Sequence, residues 1–252
     1  MTAAQTAART SEGIRHITPA GVDGRGREPA PFDPADFHAA PATQSWGLAI
    51  SDETLGLHVG VWTTDPMQEA FGPYPGDEFM LSLEGTTRLI DGDGAETTVR
   101  PGQVFCVHNA WPVSWRQDDP MAKFFMICED PDPPADPPPA PGVVVYSPED
   151  APPGAAEREE EGPFGPRRIL FETRSAAMAA GVDVAPAHQA VARQTTAHEL
   201  WCVATGALSL VAEDGRRVRV EAGEAAFIPA GLRFESASED GARIAFARCV
   251  RR

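Results

Sequence analysis

Short apolar runs separated by turn residues fill most of the chain, and little of it carries helical spacing. In the first half the runs are Trp46 to Ile50, Leu57 to Trp62, Glu78 to Leu83, Thr86 to Ile90, Glu96 to Val99, Val104 to Val107 and Lys123 to Cys128. In the second half they are Ile169 to Thr173, Gly181 to Val184, Ala190 to Gln194, Glu199 to Val203, Ala207 to Val211, Arg217 to Val220, Ala225 to Ile228 and Arg243 to Val250. Each has the length and the β-branched or aromatic content of a strand. Asp91-Gly92-Asp93-Gly94 and Glu213-Asp214-Gly215 supply the positive φ angles that hairpin turns need. Many short strands at regular spacing predict an all-β protein built of antiparallel sandwiches or barrels.

The pattern occurs twice. Gly60 matches Gly181, Glu78 matches Glu199, Gly85 matches Gly206, Gly102 matches Gly223, His108 falls on Pro229 and Cys128 matches Cys249, every pair 121 residues apart. A constant offset over six landmarks marks an internal duplication. Its copies are expected at residues 31–128 and 143–252. Residues 129–142 carry seven prolines and read as an extended linker between them. Residues 1–30 lack a sustained apolar period and read as a mobile or loosely draped arm. The charge run Glu157-Arg158-Glu159-Glu160-Glu161 is expected on a solvated surface.

Composition narrows the partners. A formal charge of −16 excludes the clustered basic surface that nucleic acid requires, and it disfavours an acidic membrane. The four cysteines lie in apolar runs without CxxC spacing, as buried thiols do in a reducing compartment, so a cytoplasmic location is expected. A homodimer that binds a small molecule is the expected assembly.

Glu-x6-Gly, a hairpin, and then Gly-x5-Pro-x-Gly resemble the two signature motifs of the cupin superfamily. The residues are Glu78 with Gly85 and Glu199 with Gly206 for the first motif, and Gly223, Pro229 and Gly231 for the second. The first copy departs from the second motif, with His108 in the proline place and Ala110 in the last glycine place. With Gly60, Trp62 and Trp115, the chain is most similar to the subgroup of ureidoglycine aminohydrolase and the ethanolamine-utilisation cupins. The resemblance implies two tandem double-stranded β-helix (jelly-roll) barrels. It also implies a place for three metal-binding histidines, but here those places hold Gly72, Tyr74 and Val113, and Arg193, Thr195 and Phe234. No metal is therefore expected, although a divalent cation on His188, Glu199 and Gln194 is conceivable.

Without the histidines, the two glutamates are the sharpest candidates for chemistry. Alternation along the strand puts Met80 on the face of Glu78, and Trp201 on the face of Glu199. A carboxylate in such a pocket has its charged form disfavoured, which brings it into a useful acid–base range. Tyr74, four residues before Glu78, and His108 are the expected proton-relay partners. His58, Trp62, Met80, Trp111 and Trp115 in the first copy, and His188, Trp201 and Phe234 in the second, are the expected ligand-binding residues. Two functions follow as alternatives: metal-independent acid–base chemistry on a small polar metabolite, by an isomerase, lyase or hydrolase, or non-catalytic binding or sensing. A structural bicupin that serves dimerisation is the third.

Overall fold

The computed structural model describes residues 13–129, 141–149 and 158–250. Apart from one 3-10 turn at Pro34–Asp36, the regular elements of the described residues are all strands, and every pairing between them is antiparallel. Most of the proline-rich segment, at 130–140, lies outside the described residues. So does the tip of the predicted arm, 1–12.

The first barrel is made of two sheets. A seven-stranded sheet contains Asp77–Glu84 between Val104–Val107 and Met121–Cys128, followed by Leu57–Thr64 and Gln44–Asp52. A six-stranded sheet, with Thr87–Asp91 and Pro112–Gln117 at its centre, closes over it. In the second barrel one long strand, His198–Ala212, runs through both sheets and joins them into twelve strands. The registers repeat as well as the motifs. Register shifts fall at Leu48/Ile50 and at Ile169/Phe171, and again at Ser82/Glu84 and Val203/Thr205. The motif glycines Gly85 and Gly206 both have φ of +77°, and a Cβ on either would lie within 2.4 Å of a backbone carbonyl oxygen. Only glycine satisfies both conditions.

Apolar side chains alternate between two destinations. Phe79, Leu81, Phe124 and Met126 from the first barrel pack with Phe171, Leu200, Phe227 and Ala247 from the second in one core shared between the barrels. The opposite faces of the same strands fill each interior, with Met80, Phe105, Trp115 and Phe125 in one and Trp201, Phe234 and Phe246 in the other. Both faces of the central strands are thus apolar, which explains their continuous hydrophobic runs.

The arm corrects the expectation of a loosely draped segment. Arg15–Thr18 pairs with Ala225–Ile228 and so extends the second barrel, with Ile17 entirely buried. Reciprocally, Val143–Tyr146, which sequence grouped with the second copy, pairs with Val104–Val107 of the first. The strand before each copy therefore completes the other barrel. The short, weakly periodic arm concealed this because its apolar partner lies in the other half of the chain. The charge run lies on a strand, Arg158–Gly162, with Arg158, Glu159 and Glu161 exposed as expected, while Glu160 is half-buried and faces Arg167 and Arg248. No helix among the described residues is long and apolar enough to cross a membrane.

Candidate functional site: a glutamate and a cation inside each barrel

In the first barrel Glu78 is buried on the strand Asp77–Glu84, and both of its oxygens are engaged. The Tyr74 hydroxyl donates to Oε2. The Lys123 ammonium stands 2.9 Å from Oε1, 3.0 Å from Met80 Sδ, and 4.9 and 4.7 Å from the ring centres of Trp62 and Trp115. Two aromatic faces and a carboxylate stabilise the ammonium as a cation. Lys123 arrives by register. It pairs with Trp62 on one side and with Ser82 on the other, four residues along from Glu78 on the same face, and its long side chain bridges that interval. About 9% of the Lys123 side chain and 6% of the Glu78 side chain remain accessible, so the pair is almost wholly enclosed.

Two further groups shape the electrostatics. Burial, with the Glu78 and Glu69 charges, holds the Tyr74 phenol well above its ordinary range, so it remains a proton donor. Glu69, on Met67–Glu69, has its carboxyl pushed up to about 7 by burial; Lys123 opposes this and Glu78 adds to it. Neither Lys123 nor Glu69 was singled out from sequence. For Lys123 a signal existed, since it is the lone charge in the apolar strand Met121–Cys128.

The other expected residues of this barrel separate. Trp62 and Trp115 meet edge to face at 6.3 Å and wall the lysine. Trp111 donates to Asp91 at 2.9 Å, away from Glu78. His58 is on the same face as Trp62 but bonds Ser51 at 2.9 Å, near Glu129, and has no hydrogen bond to Glu78. His108 is a correction. Glu78 pairs with Val107, so His108, the next residue, does not share its face. It lies between the barrels, 3.5 Å from Asp77, with its ring centre 4.4 Å from that of Phe171 of the second copy and tilted by 32° to it. A relay from His108 to Glu78 is not built.

In the second barrel Glu199 keeps the place of Glu78, but its partners come from elsewhere. Arg167 Nη1 lies 3.1 Å from Oε2, and the Trp201 indole donates to the same oxygen. Arg167 also contacts Glu160 at 2.8 Å, and Arg248 reaches Glu160 at 2.9 Å, which makes a continuous charged network. By the duplication, Lys123 corresponds to Ile244, and Arg167 to Trp46. His188 bonds Pro186 and Ser236, Gln194 bonds the Gly231 carbonyl, and Phe234 packs on Trp201 at 5.8 Å. His188, Gln194 and Glu199 thus each have protein partners. Among the described residues no three His, Cys, Asp or Glu side chains converge as metal ligands. In each barrel the glutamate already faces a cation of the protein, so these residues do not fit a divalent ion. An open groove of about 630 Å³ on the second barrel includes Arg193, Arg233 and Phe234 in its lining, and neither glutamate.

No protein-family model and no curated protein matches the sequence. Solved structures do match. A protein of unknown function of the DUF861 family from Pseudomonas syringae pv. tomato superposes with a TM-score of 0.72 at 18% identity, covering 93% of this chain and 98% of that one. Protein Ylba from E. coli, also DUF861, gives 0.62 at 12% identity over 98% and 96%. A cupin 2 conserved barrel domain protein from Leptotrichia buccalis gives 0.59 at 10% over 88% and 96%. The fold is therefore that of the cupin proteins. Within it, this chain is one that carries a buried glutamate–cation pair in each barrel.

Proposed function

We propose that the first barrel carries out metal-independent acid–base chemistry on a small polar metabolite, as an isomerase, lyase or hydrolase, with Glu78 as the proton-transfer group. The observation that carries this reading is the arrangement around Glu78: a phenol that keeps its proton on one oxygen and a lysine ammonium at 2.9 Å from the other. In this arrangement Glu78 takes a proton from the substrate, while Lys123 and Tyr74 turn their N–H and O–H bonds to the oxygen on which negative charge develops. Donors fixed in a low-dielectric lumen stabilise such charge more than water does. Trp62, Trp115 and Met80 supply the apolar wall. Within the fold this ammonium would do what a bound cation does elsewhere, and Glu78 would be freed to act when the substrate oxygen draws Lys123 away.

The test is hydrogen exchange from D2O into a panel of small keto, hydroxy and amino acids, followed by NMR together with turnover. The wild type should exchange at least one compound; Glu78→Gln should abolish the exchange and Lys123→Met should lower it by 10²-fold or more. Exchange that persists in Glu78→Gln would remove Glu78 from the reaction. The binding or sensing reading is favoured by one observation, that Glu78 and Lys123 already satisfy each other. Thermal stabilisation by a panel member, without exchange or turnover, would select it.

A further inference from the structure

The two barrels finish one sheet edge differently. In the first, Phe37–Ala39 pairs with Met67–Glu69 and closes that edge, and the Phe37 side chain packs against the interior. The duplication places Arg158 and Glu160 where the first copy has Phe37 and Ala39. Those residues are used elsewhere, since Arg158–Gly162 pairs with Gly165–Glu172. His188–Gln194, which begins at the counterpart of Met67, therefore pairs with Arg233–Ser238 on one side and with no strand among the described residues on the other.

This open edge is little guarded. Gln189, Ala190, Val191, Ala192 and Gln194 are exposed, and Val191, at 42%, is one of four large apolar side chains exposed among the described residues. The strand holds no proline, lysine or acidic residue of the kind that blunts an edge. Its one cation, Arg193, is turned to Ser236, with Nε at 3.1 Å from the hydroxyl. Pairing with Arg233–Ser238 shifts register between His188 and Val191 and is regular from Val191 to Gln194. Free N–H and C=O groups beside an apolar centre are a template for another strand.

Two features say which strand. Read outward from Val191, the sequence Gln189-Ala190-Val191-Ala192-Arg193 is close to a palindrome. Antiparallel pairing with an identical strand sets valine against valine and alanine against alanine, and it sets Arg193 against Gln189 rather than against itself. Beside the strand, the open groove of about 630 Å³ is lined by two arginines, Arg193 and Arg233, and by two surface glutamates, Glu213 and Glu235. None of the four is in an ion pair among the described residues, and the strip they form is neutral on a chain of charge −16. A two-fold contact lays the same patch on itself, so that the arginines of each copy meet the glutamates of the other.

We infer that two copies of this chain associate through His188–Gln194, paired antiparallel about a two-fold axis at Val191, with Arg233 of each copy against Glu213 and Glu235 of the other. The interface is separate from Glu78 and does not depend on the chemistry proposed for the first barrel. The test is sedimentation velocity of the full-length protein from about 1 to about 100 μM. A dimer should form over this range, and the amides of His188–Gln194 should gain protection from hydrogen exchange as it forms. Val191→Lys sets two ammonium groups face to face at the axis and should weaken association by about a hundredfold, with circular dichroism unchanged. Arg233→Glu in one variant, and Glu213→Arg with Glu235→Arg in another, should each weaken it by about tenfold or more. An equimolar mixture of those two variants should recover the dimer, because opposite charges then meet across the axis. A protein that stays monomeric throughout would overturn the proposal. So would a dimer that Val191→Lys leaves intact, a mixture that recovers nothing, or a monomer whose His188–Gln194 amides are already protected, since its own chain would then cover the edge.

Discussion

The two barrels keep the same glutamate and neutralise it from different strands with different cations. In the first, Lys123 comes from Met121–Cys128 and is enclosed by two tryptophans; in the second, Arg167 comes from Gly165–Glu172 and belongs to a network with Glu160 and Arg248. Since each cation's place holds an apolar residue in the other copy, Ile244 or Trp46, neither arrangement is a simple variant of the other. What both copies share is a requirement: a carboxylate this deep needs a counter-charge. How it is met decides what the barrel can do. A guanidinium stays protonated and bridges two carboxylates, so the second pair is a permanent brace. A lone ammonium on a flexible stem can exchange its partner for a substrate oxygen, which is what the chemistry proposed for the first barrel requires.

The strongest test of this contrast is to remove each cation. Lys123→Met should cost about 3–5 kcal/mol, because it leaves Glu78 buried without compensation. Adding Glu78→Gln should recover most of that loss. Arg167→Met should cost at least as much, and Glu199→Gln should recover less, since Glu160 has lost a partner as well. Urea unfolding of these five proteins, wild type included, together with Glu78→Gln and Glu199→Gln alone, reads all of this. If the Lys123 and Glu78 substitutions simply added, the first pair would not be coupled, and the comparison would fail.

The next effect is of opposite sign and comes, in the second barrel, from a carboxyl that stands where the first barrel has Trp62. Burial raises the Asp183 carboxyl from 3.8 to about 6, against the pull of Arg167. The folded protein therefore binds the proton more tightly than the unfolded chain does, and stability falls as pH rises from about 4 to about 6. Above that window the penalty is complete, on the order of 3 kcal/mol. Asp183→Asn should remove it: the variant is more stable than wild type at pH 7.5, and the gain disappears below pH 4. A gain that does not depend on pH would mean that Asp183 is not an acid whose charged form burial disfavours. The Trp62 place in the first barrel has no such group, so the contrast is internal to one molecule.

The duplication, the strands and the closeness of Tyr74 to Glu78 were legible because they are local or periodic. The cations were not. Lys123 lies 2.9 Å from Glu78 only because Asp77–Glu84 and Met121–Cys128 are neighbours in a particular register, and a register between distant strands leaves no mark in either one. Arg167 sits beside Arg168 in Gly165–Glu172, and nothing in the pair says which one turns inward. His108 misled for the same reason: its pairing partner, not its motif position, sets the face it occupies. The arm and Val143–Tyr146 could not be assigned to the barrels they complete, because each one pairs across the halves.

A milder substitution sharpens the distinction between brace and working pair. Arg167→Lys keeps the charge but cannot span Glu199 and Glu160 with separate nitrogens in a fixed fork, so it should cost roughly 1.5–3 kcal/mol, the worth of a hydrogen bond to a charged group. If Arg167→Lys were neutral in urea unfolding, the second pair would be as adaptable as the first, and the argument that it is a permanent brace would be lost.

The smallest expected effect concerns a single backbone amide that the two copies cap differently. In the first, Asp77 Oδ1 accepts the Asn109 N–H at 3.0 Å; in the second, the corresponding His198 Nδ1 accepts the Ala230 N–H at 3.3 Å, with its ring stacked parallel on Phe227 at 6.0 Å. An imidazole nitrogen can accept only while it is unprotonated. Burial, the dominant influence, lowers the His198 pKa from 6.5, with Asp52 opposing, so the neutral ring is the folded form. The unfolded chain then binds the proton more readily, and the contribution of this cap is present above pH 6.5 and lost as pH falls below it. His198→Asp copies the first barrel and should flatten the loss of stability between pH 7 and pH 5, by less than the Asp183 effect, because the ring is only partly buried and one bond is at stake. Thermal unfolding across that interval measures it. An acid slope that is the same in wild type and His198→Asp would show that the two caps are equivalent, and that the copies diverged only inside their barrels.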